Sequence, residues 1–401
     1  MADSIQLSNE QARELIRTYG SPLYVYDEAV LRERCREIKQ LVQRPQYVPL
    51  YSVKANTNIE LMKIIREEGF HADAMSTGEI LLEEKAGYTS DEIFMVTNNI
   101  SDEEIQFAID RGILMSCDSL SQLDRYGRLN PGGRVAVRVN PGMGAGHNEK
   151  VITAGSCKFG VEYSKAELIK EIAASYQLHI VGLNQHVGSL FLDYHTFIEA
   201  CRCMFEFAKQ FEGLEFVDLG GGYGVPYHGE QRLDLTGLGR ELEALIDHFA
   251  AEYGNPEARV YTESGRYLVA ECGELLGTVY SRKEVYGIKY IGTDLGFNVL
   301  LRPILYNAYH EVEVFNDNED YETVCIAGDI CESGDILAYN RYLPLMRHGD
   351  VIGVKNAGAY GYAMASNYNS RLRPAEVLLC ADGSTRIIRK RDTYEDLLRQ
   401  L

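Results

Sequence analysis

Four features of this 401-residue chain could together do one kind of chemistry. Lys54 lies in YSVKAN, His186 in NQHVGS, three successive glycines in DLGGGYG (Gly220–Gly222) and Glu263 in ESGR. Each follows a short apolar run. A lysine amine beside apolar surface is partly desolvated, which lowers its pKa and keeps it nucleophilic toward an aldehyde. An imidazole can stack on a flat aromatic ring. Consecutive glycines let backbone N–H groups converge on a phosphate. A carboxylate can keep a pyridine nitrogen protonated, so that the ring remains an electron sink. Amine, stacking ring, phosphate cradle and carboxylate are the needs of a pyridoxal 5′-phosphate site.

Singly, each has a plainer alternative. Lys54 is then a loop lysine, the glycines a turn requiring positive φ, Glu263 a solvated acid and His186 a structural histidine. Position raises all four. Eight short apolar runs recur: YVPLYSVKA (47–55), HADAMS (71–76), IFMVTN (93–98), ILMSCD (113–118), RVAVRVN (134–140), IVGLNQHVG (180–188), LEFVDLGGG (214–222) and RVYTESG (259–265). Helical spacing of apolar residues precedes the first, at 28–42, and separates most of the others, at 59–68, 78–86, 102–111, 119–127, 164–175 and 194–211, with another stretch at 236–252. This alternation predicts an α/β fold, a TIM-type (β/α)8 barrel whose strand C-terminal ends build the site. The glycine run then follows the seventh strand, where this fold usually holds phosphate. The long Gly-rich stretch 141–163 is a candidate functional loop.

Beyond Arg266 the rhythm changes to short β-like segments such as GELLGTVYSRKEV and DVIGVKN. They predict a C-terminal antiparallel β domain over 272–401, joined by the N-terminal segment 1–27, with the barrel at 28–271. Residues 8–19 read as a helix capped by Ser8, with Gln11 three residues on. Further polar residues invite attention. Arg266 has a planar fork suited to a phosphate or a carboxylate. Ser189 follows His186 closely. Arg302 and Tyr306, four apart in LLRPILY, could grip one carboxylate from one helical face. Cys331 and Glu332 sit in ICESGD, and Tyr360 in the Gly/Ala-rich NAGAYGYAMASNYN. Alone these last residues mean little; the plain reading of Cys331 is a small buried hydrophobe and that of Glu332 a turn acid, while Tyr360 could approach a phosphate.

The net charge of −19 argues against nonspecific nucleic-acid binding. No apolar run approaches the roughly 20 residues of a membrane span, and MADSIQLSNEQ has neither a basic nor an apolar leader segment. Nine scattered cysteines without a CxxC pair suggest neither a metal site nor a disulfide framework. A cytoplasmic protein with reduced thiols is expected.

The motifs YGSPLYVYD, YSVKAN, DAMSTGEI, RVNPG, SCKFGV, HVGS, DLGGGYG, ESGR, RPILYNAYH, CESGD, GAYGYAMASNYNSR and RDTYEDLL occur in the order seen in one family. The chain resembles fold-type III pyridoxal phosphate decarboxylases, with an alanine-racemase-like barrel, and among them the branch acting on meso-diaminopimelate. The resemblance implies a homodimer with shared active sites. It implies Lys54 as the residue that holds the cofactor, His186 stacked on its ring and Glu263 at the pyridine nitrogen. Ser189, Gly221, Gly222, Gly265, Arg266 and Tyr360 would surround the remainder of the cofactor. Arg266, Arg302, Tyr306, Glu332 and Tyr360 would bind substrate, and Cys331, reaching in from the partner subunit with Glu332, would serve in catalysis. The implied reaction turns meso-2,6-diaminopimelate into L-lysine and CO2. The departures from the usual family pattern, Val187 and Leu190 in HVGSL, Cys157 in SCKFG and Ser264 in ESGR, fall on none of these residues.

Other readings stay open at this stage: a relative acting on L-lysine, L-ornithine or a carboxylated polyamine or siderophore precursor, a racemase on the same barrel, or an inactive regulator. Basic-amino-acid decarboxylases of this fold place an acid near the Arg302 position to meet a distal ammonium. An arginine there suits an additional carboxylate instead.

Overall fold

In the computed structural model, which describes residues 4–144, 146, 152–399 and 401, eight parallel strands close on themselves. They are Tyr47–Ser52, His71–Ala74, Ile93–Thr97, Leu114–Cys117, Arg134–Asn140, His179–Asn184, Phe216–Gly221 and Arg259–Ser264. Each pairs with the next, and the last pairs with the first, Val260 opposite Tyr47 and Ser264 opposite Tyr51. Five of the helices between them start on side-chain caps: Asn58, Ser76, Ser101, Ser119 and Asp234 each accept a backbone N–H of the first turn. Such a cap contributes about 1 kcal/mol.

Side chains two apart on a strand share a face, and this rule layers the barrel interior. Leu50, Phe94, Val96, Ala136, Val181 and Phe216 form one apolar cluster, with Tyr261 packed against it. Phe94 meets Phe216 edge-on at 5.3 Å, and Tyr261 stacks on Phe216 at 4.7 Å. Gly182 makes room for this ring, since a Cβ there would lie 2.1 Å from Phe216. Two residues later on four of these strands stand Ser52, Arg138, Asp218 and Glu263, all buried. The interior therefore changes from hydrocarbon to charge within one step toward the strand C-termini.

Two predicted strands end early. The run 47–55 leaves the sheet after Ser52 and turns through a 3-10 segment, Val53–Ala55. The run 180–188 is extended only to Asn184. Lys54 and His186 thus sit just beyond their strands. Within the loop 141–163, positions 145 and 147–151 lie outside the described residues; Val161–Glu162 forms a short strand beside Val139–Asn140.

The chain divides into two compact units, Cys35–Val225 with Gln231–Gly265, and Met1–Arg34 with Pro226–Glu230 and Arg266–Leu401. The first carries the barrel. The second is built on a sheet ordered Ile336–Pro344, Tyr321–Ala327, Ile288–Thr293, Gly273–Val285, Leu23–Asp27, Ala375–Leu379 and Thr385–Arg389. Val351–Val354 pairs with both Gly273–Val285 and Val312–Val314. Most pairings are antiparallel, as expected, but the sheet is mixed. Leu23–Asp27 runs parallel to Ala375–Leu379, and Tyr290–Gly292 parallel to Cys325–Ala327. Its core gathers Ile5, Leu15, Leu23, Val25, Leu276, Phe315 and Val377. The helix Asn9–Tyr19 opens with the expected capping box of Ser8 and Gln11. Among the described residues no helix is long and apolar enough to cross a membrane.

Candidate active site

The barrel unit holds one half of the candidate residues. Lys54 projects from the turn after the first barrel strand, with Nζ 3.8 Å from Asp73 Oδ2. Burial pushes the Asp73 carboxyl up to about 7, although Lys54 opposes the shift. Glu263 is 2% exposed. Burial, and then the neighbouring Asp218, raise its carboxyl well above the usual range. Asp218 is itself pushed up to about 7 by burial, and its Oδ1 accepts the Gly220 N–H at 2.9 Å. Two buried carboxyls side by side cannot both ionise cheaply. Glu263 therefore keeps its proton.

His186 lies beside this pair, Nδ1 being 3.6 Å from Glu263 Oε2. Burial, followed by the charges of Lys54 and Arg138, holds its pKa far below the ordinary value, so the ring is neutral. The Gly221 N–H donates to Nδ1 at 3.3 Å, which assigns the ring proton to Nε2. The glycine run is forced by close packing. A Cβ at Gly221 would lie 1.5 Å from the Glu263 carbonyl oxygen, and one at Gly222, where φ is +114°, 2.3 Å from the Gly188 oxygen. This backbone approach brings the His186–Ser189 segment, the glycines and Glu263 to one end of the barrel, with Gly265 next in the chain after Ser264.

The second unit holds the other half. Arg302 opens the helix Arg302–Tyr306, which also carries Tyr306, and is 1% exposed. Its Nη1 donates to the Tyr227 hydroxyl at 2.9 Å and to His310 Nε2 at 3.0 Å. No carboxylate of a described residue lies within 4 Å of this guanidinium, and its Nε has no partner among the described residues. Arg266 Nη1 reaches the same Tyr227 hydroxyl at 3.1 Å, and Arg266 Cζ sits 4.8 Å from the Tyr360 ring centre. Tyr360 takes a left-handed backbone, φ +57°. Cys331 and Glu332 occupy an exposed turn, where Cys331 N–H donates to Asn369 Oδ1 at 2.8 Å and Glu332 accepts from the Tyr368 hydroxyl at 2.7 Å.

Sequence reading missed Asp73, Arg138, Asp218, Tyr227 and His310. A signal for two of them existed: HADA and FVDL each place an acid inside an otherwise apolar strand, where an ionisable group is seldom idle.

The arrangement fits pyridoxal phosphate. The buried Glu263 carboxyl carries a proton, the glycine cradle admits no side chain, and a lysine amine and a neutral imidazole share the strand-end layer. The class of protein so defined is that of the pyridoxal-dependent decarboxylases, and the model of that family described as "Pyridoxal-dependent decarboxylase, pyridoxal binding domain" matches residues 28–270. The diaminopimelate decarboxylase of Methanothermobacter thermautotrophicus is 40% identical over 410 residues, covering 99% of this chain and 94% of that protein. That of Escherichia coli K12 is 33% identical, covering 98% and 96%. A crystal structure of the Helicobacter pylori diaminopimelate decarboxylase complexed with L-lysine superposes with a TM-score of 0.90 at 30% identity, covering 96% of this chain and 98% of the other. The chain belongs to the diaminopimelate decarboxylase family.

Proposed function

We propose that the protein removes CO2 from meso-2,6-diaminopimelate and releases L-lysine, with pyridoxal 5′-phosphate held by Lys54. One observation carries the substrate: the Arg302 guanidinium is buried, and its only hydrogen-bond partners among the described residues are a phenol and an imidazole. A buried charge without an opposite charge is costly, and a substrate carboxylate relieves that cost. A substrate ending in an ammonium, such as L-lysine or L-ornithine, would add to it.

Each residue then has a task. Lys54 supplies the amine that holds the aldehyde. Gly221, Gly222, Gly265, Ser189, Arg266 and Tyr360 receive the phosphate end. His186, kept neutral, presents a flat ring face for stacking. Glu263, which keeps a proton in its buried setting, would supply the one that a pyridine nitrogen needs. Bound there, the cofactor supplies a conjugated ring that accepts the electron pair left when CO2 departs. Arg302, with Arg266 and Tyr306, fixes the distal carboxylate, and Glu332 its amine. Cys331, contributed with Glu332 by a second copy of the chain, gives a proton to the carbon that has lost CO2. Incubating the protein and cofactor separately with meso-diaminopimelate, L-lysine and L-ornithine tests this reading. CO2 release is expected from the first alone; release from L-ornithine or L-lysine in its place would overturn it.

A further inference from the structure

Tyr227 lies outside the motifs quoted above, and His310, the last residue of RPILYNAYH, was given no role there, yet these two make every hydrogen bond of the Arg302 side chain to a described residue. Tyr227 lies in Pro226–Glu230, a short segment that leaves the barrel unit after Val225. The segment is held from outside at Pro226 and braced within itself. Asn356 Nδ2 donates to the Pro226 carbonyl at 2.9 Å, and the Tyr227 N–H donates to Glu230 Oε2 at 2.9 Å. The Tyr227 hydroxyl oxygen accepts from Arg302 Nη1 and from Arg266 Nη1 together. Burial alone would raise this phenol, but the two guanidiniums outweigh it, and the pKa ends below the usual value. Arg302 Cζ also sits 4.8 Å from the ring centre, within cation–π range.

His310 completes the hold. Its Nδ1 lies 2.8 Å from the Lys355 carbonyl oxygen, which can only accept, so the ring proton sits on Nδ1. Nε2 is then a lone pair facing Arg302 Nη1. Burial and the adjacent guanidinium push the imidazole pKa down to about 3, so His310 stays a neutral acceptor at any working pH. The ring meets that of Tyr227 edge-on at 5.1 Å.

Two acceptors that carry no full charge thus orient a guanidinium that needs an anion. A carboxylate in either place would hold Arg302 as firmly but cancel its charge. A phenol and an imidazole fix its plane and leave the charge for a ligand. We propose that Tyr227 and His310 are positioning residues of the anion subsite: Tyr227 pins Arg266 and Arg302 to one point, and His310 sets the orientation of Arg302 for the distal carboxylate. This rests on reading Arg302 as the partner of that carboxylate.

Two probes separate the roles in the holoenzyme. L-lysine keeps the distal carboxylate and cadaverine lacks it. Inhibition by each is measured in wild type, Tyr227→Phe, His310→Leu and His310→Gln, with KM and kcat for meso-diaminopimelate and a cofactor absorbance titration. In Tyr227→Phe and His310→Leu the inhibition constant of L-lysine and the KM are expected to rise about tenfold, the size of one lost charge-assisted hydrogen bond. The cadaverine constant and cofactor titration should move less than threefold, and kcat should fall less than KM rises. His310→Gln, which can donate and accept along the same line, should recover most of the loss. Equal weakening of L-lysine and cadaverine, or unchanged L-lysine binding in both Tyr227→Phe and His310→Leu, overturns the positioning role while leaving Arg302 as the carboxylate partner. A wild type that binds cadaverine as well as L-lysine overturns the substrate reading, and this inference with it.

Discussion

Glu83 offers the sharpest test of the electrostatics of the barrel. It lies on the helix Thr77–Ala86 with no solvent exposure, and neither carboxylate oxygen has a hydrogen-bond partner among the described residues. Burial, then the charges of Asp73, Glu79 and Glu84, push its carboxyl from 4.5 to about 9. The folded protein therefore keeps a proton that the unfolded chain has lost wherever the pH lies between those values. Stability from this source is greatest below pH 4.5, falls by about 1.4 kcal/mol for each pH unit above it, and stops falling near pH 9. At pH 7, two and a half units above the unfolded value, the penalty is roughly 3 kcal/mol. Glu83→Gln keeps the shape and removes the titration. The chain has no tryptophan, so urea unfolding is followed by circular dichroism, taking the transition of the barrel. The variant should be the more stable at pH 7, and its advantage should grow by about 1.4 kcal/mol per unit between pH 6 and 8. A difference that does not change with pH over that interval, or a variant less stable at pH 8, would refute the assignment of a neutral acid at this position.

Three further outcomes are expected. Lys54→Ala should lose both turnover and the visible absorbance of bound cofactor, read in one spectrum and one CO2 assay; a variant with normal turnover would exclude Lys54 from the chemistry. Arg302→Ala should raise the KM for meso-diaminopimelate by about a hundredfold, since a charged recognition contact is worth about 3 kcal/mol, with the cofactor titration changed far less. Gly182→Ala should destabilise the barrel by roughly 1–3 kcal/mol, because its methyl would fall 2.1 Å from the Phe216 ring; a melting temperature equal to wild type would show that the ring can move aside.

The alternation of strand and helix was readable because burial on a barrel strand and exposure on its helix leave different periods in the chain. Strand ends were harder. YVPLYSVKA reads as one mostly apolar run, but only its first six residues lie in the sheet strand, and Lys54 sits in the turn Val53–Ala55 that leaves the strand line. The parallel pairing of Leu23–Asp27 with Ala375–Leu379 has no local trace: each strand is apolar enough to pair with anything, and the partner is chosen by the whole sheet. The same reason hid the supporting residues of the candidate site. Lys54, Glu263 and the glycines stand in recognisable surroundings. What Asp218, Tyr227 and His310 do depends on which buried group each one faces, and that is settled only by tertiary packing.

An interior strand of the β sheet has a consequence for biosynthesis. Leu23–Asp27 emerges from the ribosome early, yet the neighbour on one of its sides, Ala375–Leu379, is translated some 350 residues later. At roughly 5–20 residues per second the nascent chain waits on the order of 20–70 s for that strand. Meanwhile all eight barrel strands have been made by Ser264, so the barrel is free to condense first. The opening segment, whose first four strand residues become fully buried, can pair sooner with Gly273–Val285 on its other side, but the edge that Ala375–Leu379 covers stays open for that whole time, where a chaperone would shield it.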